Sequence, residues 1–221
     1  MATKRDLIAA ELRRQISTGE LARGARVPQS QLASKFSTSI TPVREALGLL
    51  EAEGVLVAEP HHGVRVATAN LAQVKTVYLM RQLAEPYAMQ RAVWNMSRRD
   101  LQVVTELFEH MEKSESVGDK PAFNEANRKF HFAFYDRCGD DGLRTEIAML
   151  WQRYPWDLLQ VIEHRAPDSH EEHRRILDAA RAGDLNLVAT ATRDHLKHGY
   201  LALASRLSEE PQLDPFPVND D

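Results

Sequence analysis

The stretch "TPVREALGLLEAEG", Thr41 to Gly54, decides how the first third of the chain is read. Val43, Leu47 and Leu50 fall three and four residues apart, so they share one face of a helix. Thr41 or Ser39 can cap its start, Pro42 sits in the first turn where its missing N–H costs nothing, and Gly54 ends it. Just upstream, "SQLASKF" is a short helix with Ser30 as N-cap and Leu32, Ala33 and Phe36 inward; "STSI" is the turn between the two. Before that, Leu7, Ile8, Leu12 and Ile16 mark a first helix that stops at Gly19, and "GELARGARVP" is an extended connection. Downstream, "VLVAEPHHGVRVA" alternates around a Pro-His-His-Gly tip and predicts a small β-hairpin. Two short helices, a tight turn and a following hairpin predict a winged helix-turn-helix.

The second helix of such a pair can lie in a major groove with its N-terminal residues at base edges. Here that end offers Ser39, Ile40, Thr41 and Arg44. Hydroxyls suit phosphate oxygens, and Arg44 can reach a guanine or a phosphate. The hairpin tip adds His61, His62, Gly63 and Arg65, with Gly63 permitting close backbone approach. The pattern also fits a plain helical domain in which "TPVREAL" is only a well-capped helix. Charge leans towards DNA: residues 1–66 hold nine Lys/Arg against seven Asp/Glu, a net of +2. The remainder then holds 19 against 25, a net of −6, which sums to the overall −4.

"GELARGARV", "QLASKF", "TPVREALGLLEAEGVL" and "HHGVRV" together resemble the winged helix-turn-helix of the GntR family of bacterial transcription regulators. The resemblance covers nearly all of residues 5–66 and implies double-stranded DNA as partner, with Ser39, Thr41, Arg44, His62, Gly63 and Arg65 as the DNA-binding residues. The chain departs from the family in three places. Ile40 stands where a basic residue is usual, Ser37 stands in a turn where glycine is usual, and Ser30 lies near a position that is basic in the FadR branch. A lost bidentate base contact changes discrimination at one position by about 1–3 kcal/mol, so the operator is expected to differ from that of a typical relative.

From about Asn70 the pattern is helical throughout, with helices expected near 70–96, 99–117, 120–137, 141–162, 168–182 and 184–207. Pro155 should kink or interrupt the fourth. The third contains "FNEANRKFHFAFYD", in which Phe123, Ala126, Asn127, Phe130, His131 and Phe134 share a face. An amide and an imidazole on an aromatic stripe are costly to bury without partners. His173 and His195 lie on the inward stripes of the last two helices, whereas His110, His164, His170 and His198 read as exposed or rim positions. Three imidazoles and one amide oxygen from separate helices could coordinate a divalent metal, and imidazole suits zinc, nickel, copper or iron. By spacing alone, separate hydrogen-bonded core histidines are the better fit.

Residues 70–207 resemble the FCD effector domain (the FadR C-terminal domain type), and six helices fit its shorter, VanR-like form. "NRKFH", "HRRIL" and "RDHL" match, in order, the metal-site motifs of that domain, and "MRQLAEPYA" matches its first-helix Arg-x-x-x-Glu. The resemblance implies a divalent ion, zinc or nickel foremost, held by Asn127, His131, His173 and His195, and Arg81 as a cation facing an effector. Glu85 is expected to pair with Arg81. Asn127 replaces the Asp of many relatives. A neutral amide implies weaker metal binding and, at an ion keeping its full double charge, stronger attraction for an anion. Trp94, Trp151, Arg153, Tyr154 and Trp156 could line a cavity or serve as plain core.

The resulting expectation is a mainly α protein: a winged helix-turn-helix over residues 1–67, an all-α six-helix effector-binding and dimerisation domain over 70–207, and a disordered acidic, proline-rich tail over 208–221. Its single cysteine, Cys138, excludes an internal disulfide framework and fits a reducing cytosol. No membrane span or targeting signal is read, so a cytoplasmic protein, nucleoid-associated when DNA-bound, is expected. The function implied is a homodimeric repressor of a pseudopalindromic operator, controlled by a small organic acid. The alternatives are a regulator for which the ion itself is the signal and, more remotely, a metal-dependent hydrolase.

Overall fold

The computed structural model describes residues 3–59, 63–159, 162 and 165–216, with only the backbone described for 165–167. Two units emerge, one of residues 1–70 with 151–158 and one of 71–150 with 159–221.

The N-terminal unit opens with α1 (Lys4–Ser17), started by a capping box: the Asp6 N–H donates to the Thr3 hydroxyl, and the Thr3 N–H donates to the Asp6 carboxylate. α2 (Gln29–Lys35) and α3 (Ile40–Ala52) follow, with Ser39 as the N-cap residue of α3. Strands β1 (Leu56–Glu59) and β2 (Gly63–Val66) pair antiparallel with Leu56 opposite Val66, and Arg26 bridges to Arg65. Ile8 and Leu12 from α1, Val43, Leu47 and Leu50 from α3, and Leu56 and Val66 from the hairpin form one apolar core. That core fixes how α3 is presented. The turn before α3 holds Ser37 at φ +47°, the left-handed region. A residue with a Cβ costs roughly 1–2 kcal/mol there, which explains why glycine is the usual occupant.

α7 (Asp141–Arg153) stops where Pro155 demands, and the single turn α8 (Trp156–Leu159) resumes after it. The break replaces the continuous helix expected to 162. Trp151, Tyr154 and Trp156 stack there with centroids 4.5 and 4.7 Å apart, and Arg23 pairs with Asp157 at 2.8 Å, all within the N-terminal unit.

The helical unit contains α4 (Leu71–Asn95), α5 (Arg98–Ser116), α6 (Lys120–Tyr135), most of α7, α9 (Arg165–Ala182) and α10 (Leu185–Leu207). With α7 these are six long helices. α4 packs on α10, α5 on α6, and α9 on α10. Asp119 and Asp184 cap α6 and α10, which carry the candidate ligands. The tail departs from the expected disorder as far as residue 216: the Tyr78 hydroxyl donates to Asp214 at 2.7 Å, and Tyr78 stacks on Tyr200 at 4.4 Å. A buried phenol needs an acceptor, and the tail supplies it. Residues 217–221 lie outside the described residues.

Candidate nucleic-acid interface and metal centre

Ser39, Thr41 and Arg44 all stand exposed at the start of α3. Ser39 makes no side-chain cap bond, unlike Thr3 at α1. The first N–H groups of α3 are therefore left without a side-chain cap, the arrangement that suits a phosphate oxygen. Arg44 Nε donates to Gln29 Oε1 at 3.2 Å, a contact that steadies the guanidinium on an exposed surface. Ile40 is 39% exposed, so an apolar side chain stands on the surface at the start of α3. Gly63 adopts φ +84°, a conformation that favours glycine at the start of β2. Arg65 is half-buried and donates to Glu59 at 2.6 Å and to the Gly24 carbonyl at 2.9 Å, so it braces the base of the wing. His61 and His62 lie outside the described residues.

In the helical unit, three imidazoles converge. His131 comes from α6, His173 from α9 and His195 from α10, and one ring nitrogen of each lies within 4.8 Å of the others. His131 Nε2 and His173 Nε2 are 2.9 Å apart. Such a spacing fits a hydrogen bond in one tautomer. It equally fits two nitrogens at right angles on one ion, because bonds of about 2.1 Å place them about 3 Å apart. Asn127 separates these possibilities. Its Oδ1 is buried and, among the described residues, has no hydrogen-bond partner. A buried orphan acceptor is costly, and a cation is a natural partner for it. The His131 ring is held well below the usual histidine range, first by burial and then by His195 and Arg81. A neutral ring keeps a lone pair for coordination. The three histidines fit a divalent ion, with donors of the zinc and nickel type.

Behind this centre, Arg81 is 3% exposed and Glu85 fully buried, paired at 2.5 Å four residues apart on α4. Tyr135 donates to Glu85 at 2.6 Å, and its oxygen lies 3.4 Å from His131 Nδ1. Glu85 thus has the expected ion-pair role, while the guanidinium of Arg81 is committed to it rather than presented as a lone cation. Glu172 accepts from His195 and His198, each Nδ1 2.8 Å from a carboxylate oxygen. Tyr135 and Glu172 escaped the sequence reading, although each had a signal: Tyr135 lies one turn beyond His131, and Glu172 immediately precedes His173. His170 is half-buried, as a rim position implies; it stacks on Phe108 at 4.6 Å and bonds Glu112 at 3.0 Å. His164 lies outside the described residues. Trp94 is 74% exposed, and Trp151, Tyr154 and Trp156 belong to the N-terminal unit.

Comparison with known proteins agrees with both halves. Residues 4–66 match the model of the gntR family of bacterial regulatory proteins, and residues 76–198 match the FCD domain. The HTH-type transcriptional regulator McbR of Escherichia coli K12 is 32% identical over 163 residues, covering 74% of each chain. Its solved structure superposes with a TM-score of 0.85 at 27% identity, over 94% of this chain and all of that one. The gluconate operon transcriptional repressor of Bacillus subtilis is 27% identical over 85% of this chain and 75% of its own. The FCD domain of the regulator TM0439, described as metal-free, shares the fold at a TM-score of 0.54 and 17% identity, over 64% of this chain and 98% of that one. No helix among the described residues is long and apolar enough to cross a membrane. The chain belongs to the GntR family of bacterial regulators, in the branch with an FCD domain, and is a DNA-binding transcription regulator rather than an enzyme.

Proposed function

We propose that this regulator is a homodimeric repressor whose affinity for a pseudopalindromic operator is set by a small carboxylate bound at a divalent metal in the helical unit. Asn127, His131, His173 and His195 hold the ion. The observation behind this reading is the convergence of three buried imidazoles, with the buried, partnerless Asn127 Oδ1 one helical turn before His131. A relative named as a gluconate operon repressor and another described as metal-free are consistent with it. Four neutral ligands leave a divalent ion its full charge, which favours an anionic effector at open coordination positions. Arg81 adds to that attraction, reduced by its pairing with Glu85.

On the DNA side, Ser39, Thr41 and Arg44 meet the duplex from α3, and Gly63 and His62 from the wing, with Arg65 bracing the hairpin. A twofold pair of such modules matches a pseudopalindromic site. The exposed face of α4 supports the second copy: Met80, Leu83, Tyr87 and Trp94 are 50, 61, 55 and 74% exposed at helical spacing. Regulation requires the effector to bind the DNA-competent and incompetent arrangements unequally, and DNA then weakens effector binding by the same factor.

The test is the metal content of untagged full-length protein by elemental mass spectrometry, beside His173→Ala. About one divalent ion per chain is expected in the first and none in the second. A folded, metal-free wild type after growth in zinc and nickel would reduce the three histidines to core polar residues. Operator binding with the ion alone, and then with added small carboxylates, decides the signal: a response to the ion without any organic acid makes this a metal sensor. Sedimentation of the same samples checks the twofold assembly, which a monomer at micromolar concentration would refute.

A further inference from the structure

Glu172 joins the two helices that carry His173 and His195. It precedes His173 on α9, is only 7% exposed, and receives both His195 and His198 of α10 at 2.8 Å. An ionised carboxylate only accepts hydrogen bonds, so the His195 proton sits on Nδ1 and Nε2 keeps its lone pair for the ion. His198 occupies the second carboxylate oxygen and stops Glu172 from swinging towards the centre. The other buried carboxylate behind the histidines is Glu85, and Arg81 neutralises it. Glu172 is then a carboxylate bonded directly to a ligand of a site whose own ligands are all neutral.

We infer that Glu172 is a positioning residue for the metal centre, which orients His195 and supplies through its ring the negative charge that Asn127 leaves out of the ligand set. This rests on the metal reading above. Aspartate at 127 would put the charge directly on the ion and make Glu172 less important. With asparagine there, the polarised His195–Glu172 pair becomes the main anionic support. The two positions are therefore coupled: the effect of losing one charge depends on whether the other is present.

The experiment is a zinc competition titration of the full-length protein against a chromophoric chelator, for wild type, Glu172→Gln, Asn127→Asp and the double variant. Glu172→Gln is expected to weaken zinc binding by about 10–100-fold. In the Asn127→Asp background the same change should cost only a few-fold. Equal loss in both backgrounds, or no loss, overturns the inference; a merely structural role would give equal loss together with a lower melting temperature of the zinc-free protein. A wild type that takes up no zinc fails the metal reading itself. A second readout needs no variant: nitrogen-15 shifts of the zinc-loaded wild type should show His195 protonated on Nδ1 and metal-bound through Nε2. The reverse assignment sinks the inference even if Glu172→Gln does not fold.

Discussion

In the N-terminal unit Ser39, Thr41 and Arg44 stand exposed at a helix end, whereas in the helical unit His131, His173 and His195 are 1, 0 and 8% exposed. The first set relies on solvent to satisfy it until a ligand arrives, so its residues cost the fold little. The second set is removed from water, and each polar atom needs a partner inside the protein. His131 meets Tyr135 and His173, and His195 meets Glu172, while Tyr135 in turn donates to the Glu85 that pairs with Arg81. Substitutions in the first set should therefore change binding without changing stability, and substitutions in the second set and its partners should change stability as well.

The largest effect expected is in the bundle. Glu85→Ala removes the carboxylate to which buried Arg81 and Tyr135 both donate, and should destabilise the protein by about 3–5 kcal/mol. Chemical denaturation followed by far-ultraviolet circular dichroism measures it. A loss below about 1 kcal/mol would mean that water reaches the pair and that burial does not set this unit apart. Next comes the reading helix. Arg44→Ala should weaken operator binding by about 1–3 kcal/mol and leave unfolding unchanged. Fluorescence anisotropy with a labelled operator reads the first and a thermal melt the second; a destabilised protein with unaltered DNA affinity would invert the comparison. The smallest effect concerns the turn before α3. Ser37→Gly relieves a left-handed serine but gives the unfolded chain more freedom, so a gain of no more than about 1 kcal/mol is expected. A loss would show that the Ser37 side chain has a role that its backbone angle does not reveal.

The winged helix-turn-helix was legible because its signals are local. The Val43, Leu47 and Leu50 stripe, the Pro42 first turn and the Gly54 stop each act within a few residues, and the hairpin alternates beside them. The tail was misread because composition cannot show that Asp214 accepts from Tyr78, 136 residues away. In the same way, the helix position of His170 at the rim does not reveal Phe108 stacked on it.

By itself the sequence determined the run of helices and most of their inward stripes, because propensity and periodicity are short-range physics; it misplaced one cap, since α2 begins after Pro28 with Ser30 inside it, and one stripe residue, since Leu7 is exposed. It also placed an amide and an imidazole on one buried face of α6. Only the tertiary structure decided that His131, His173 and His195 meet, that Tyr135 joins the Arg81–Glu85 pair, and that Glu172 clamps His195. Those contacts depend on how α4, α6, α9 and α10 are packed and rotated against one another. That packing is set by the summed burial of many side chains across the bundle, and no single stretch of sequence contains it.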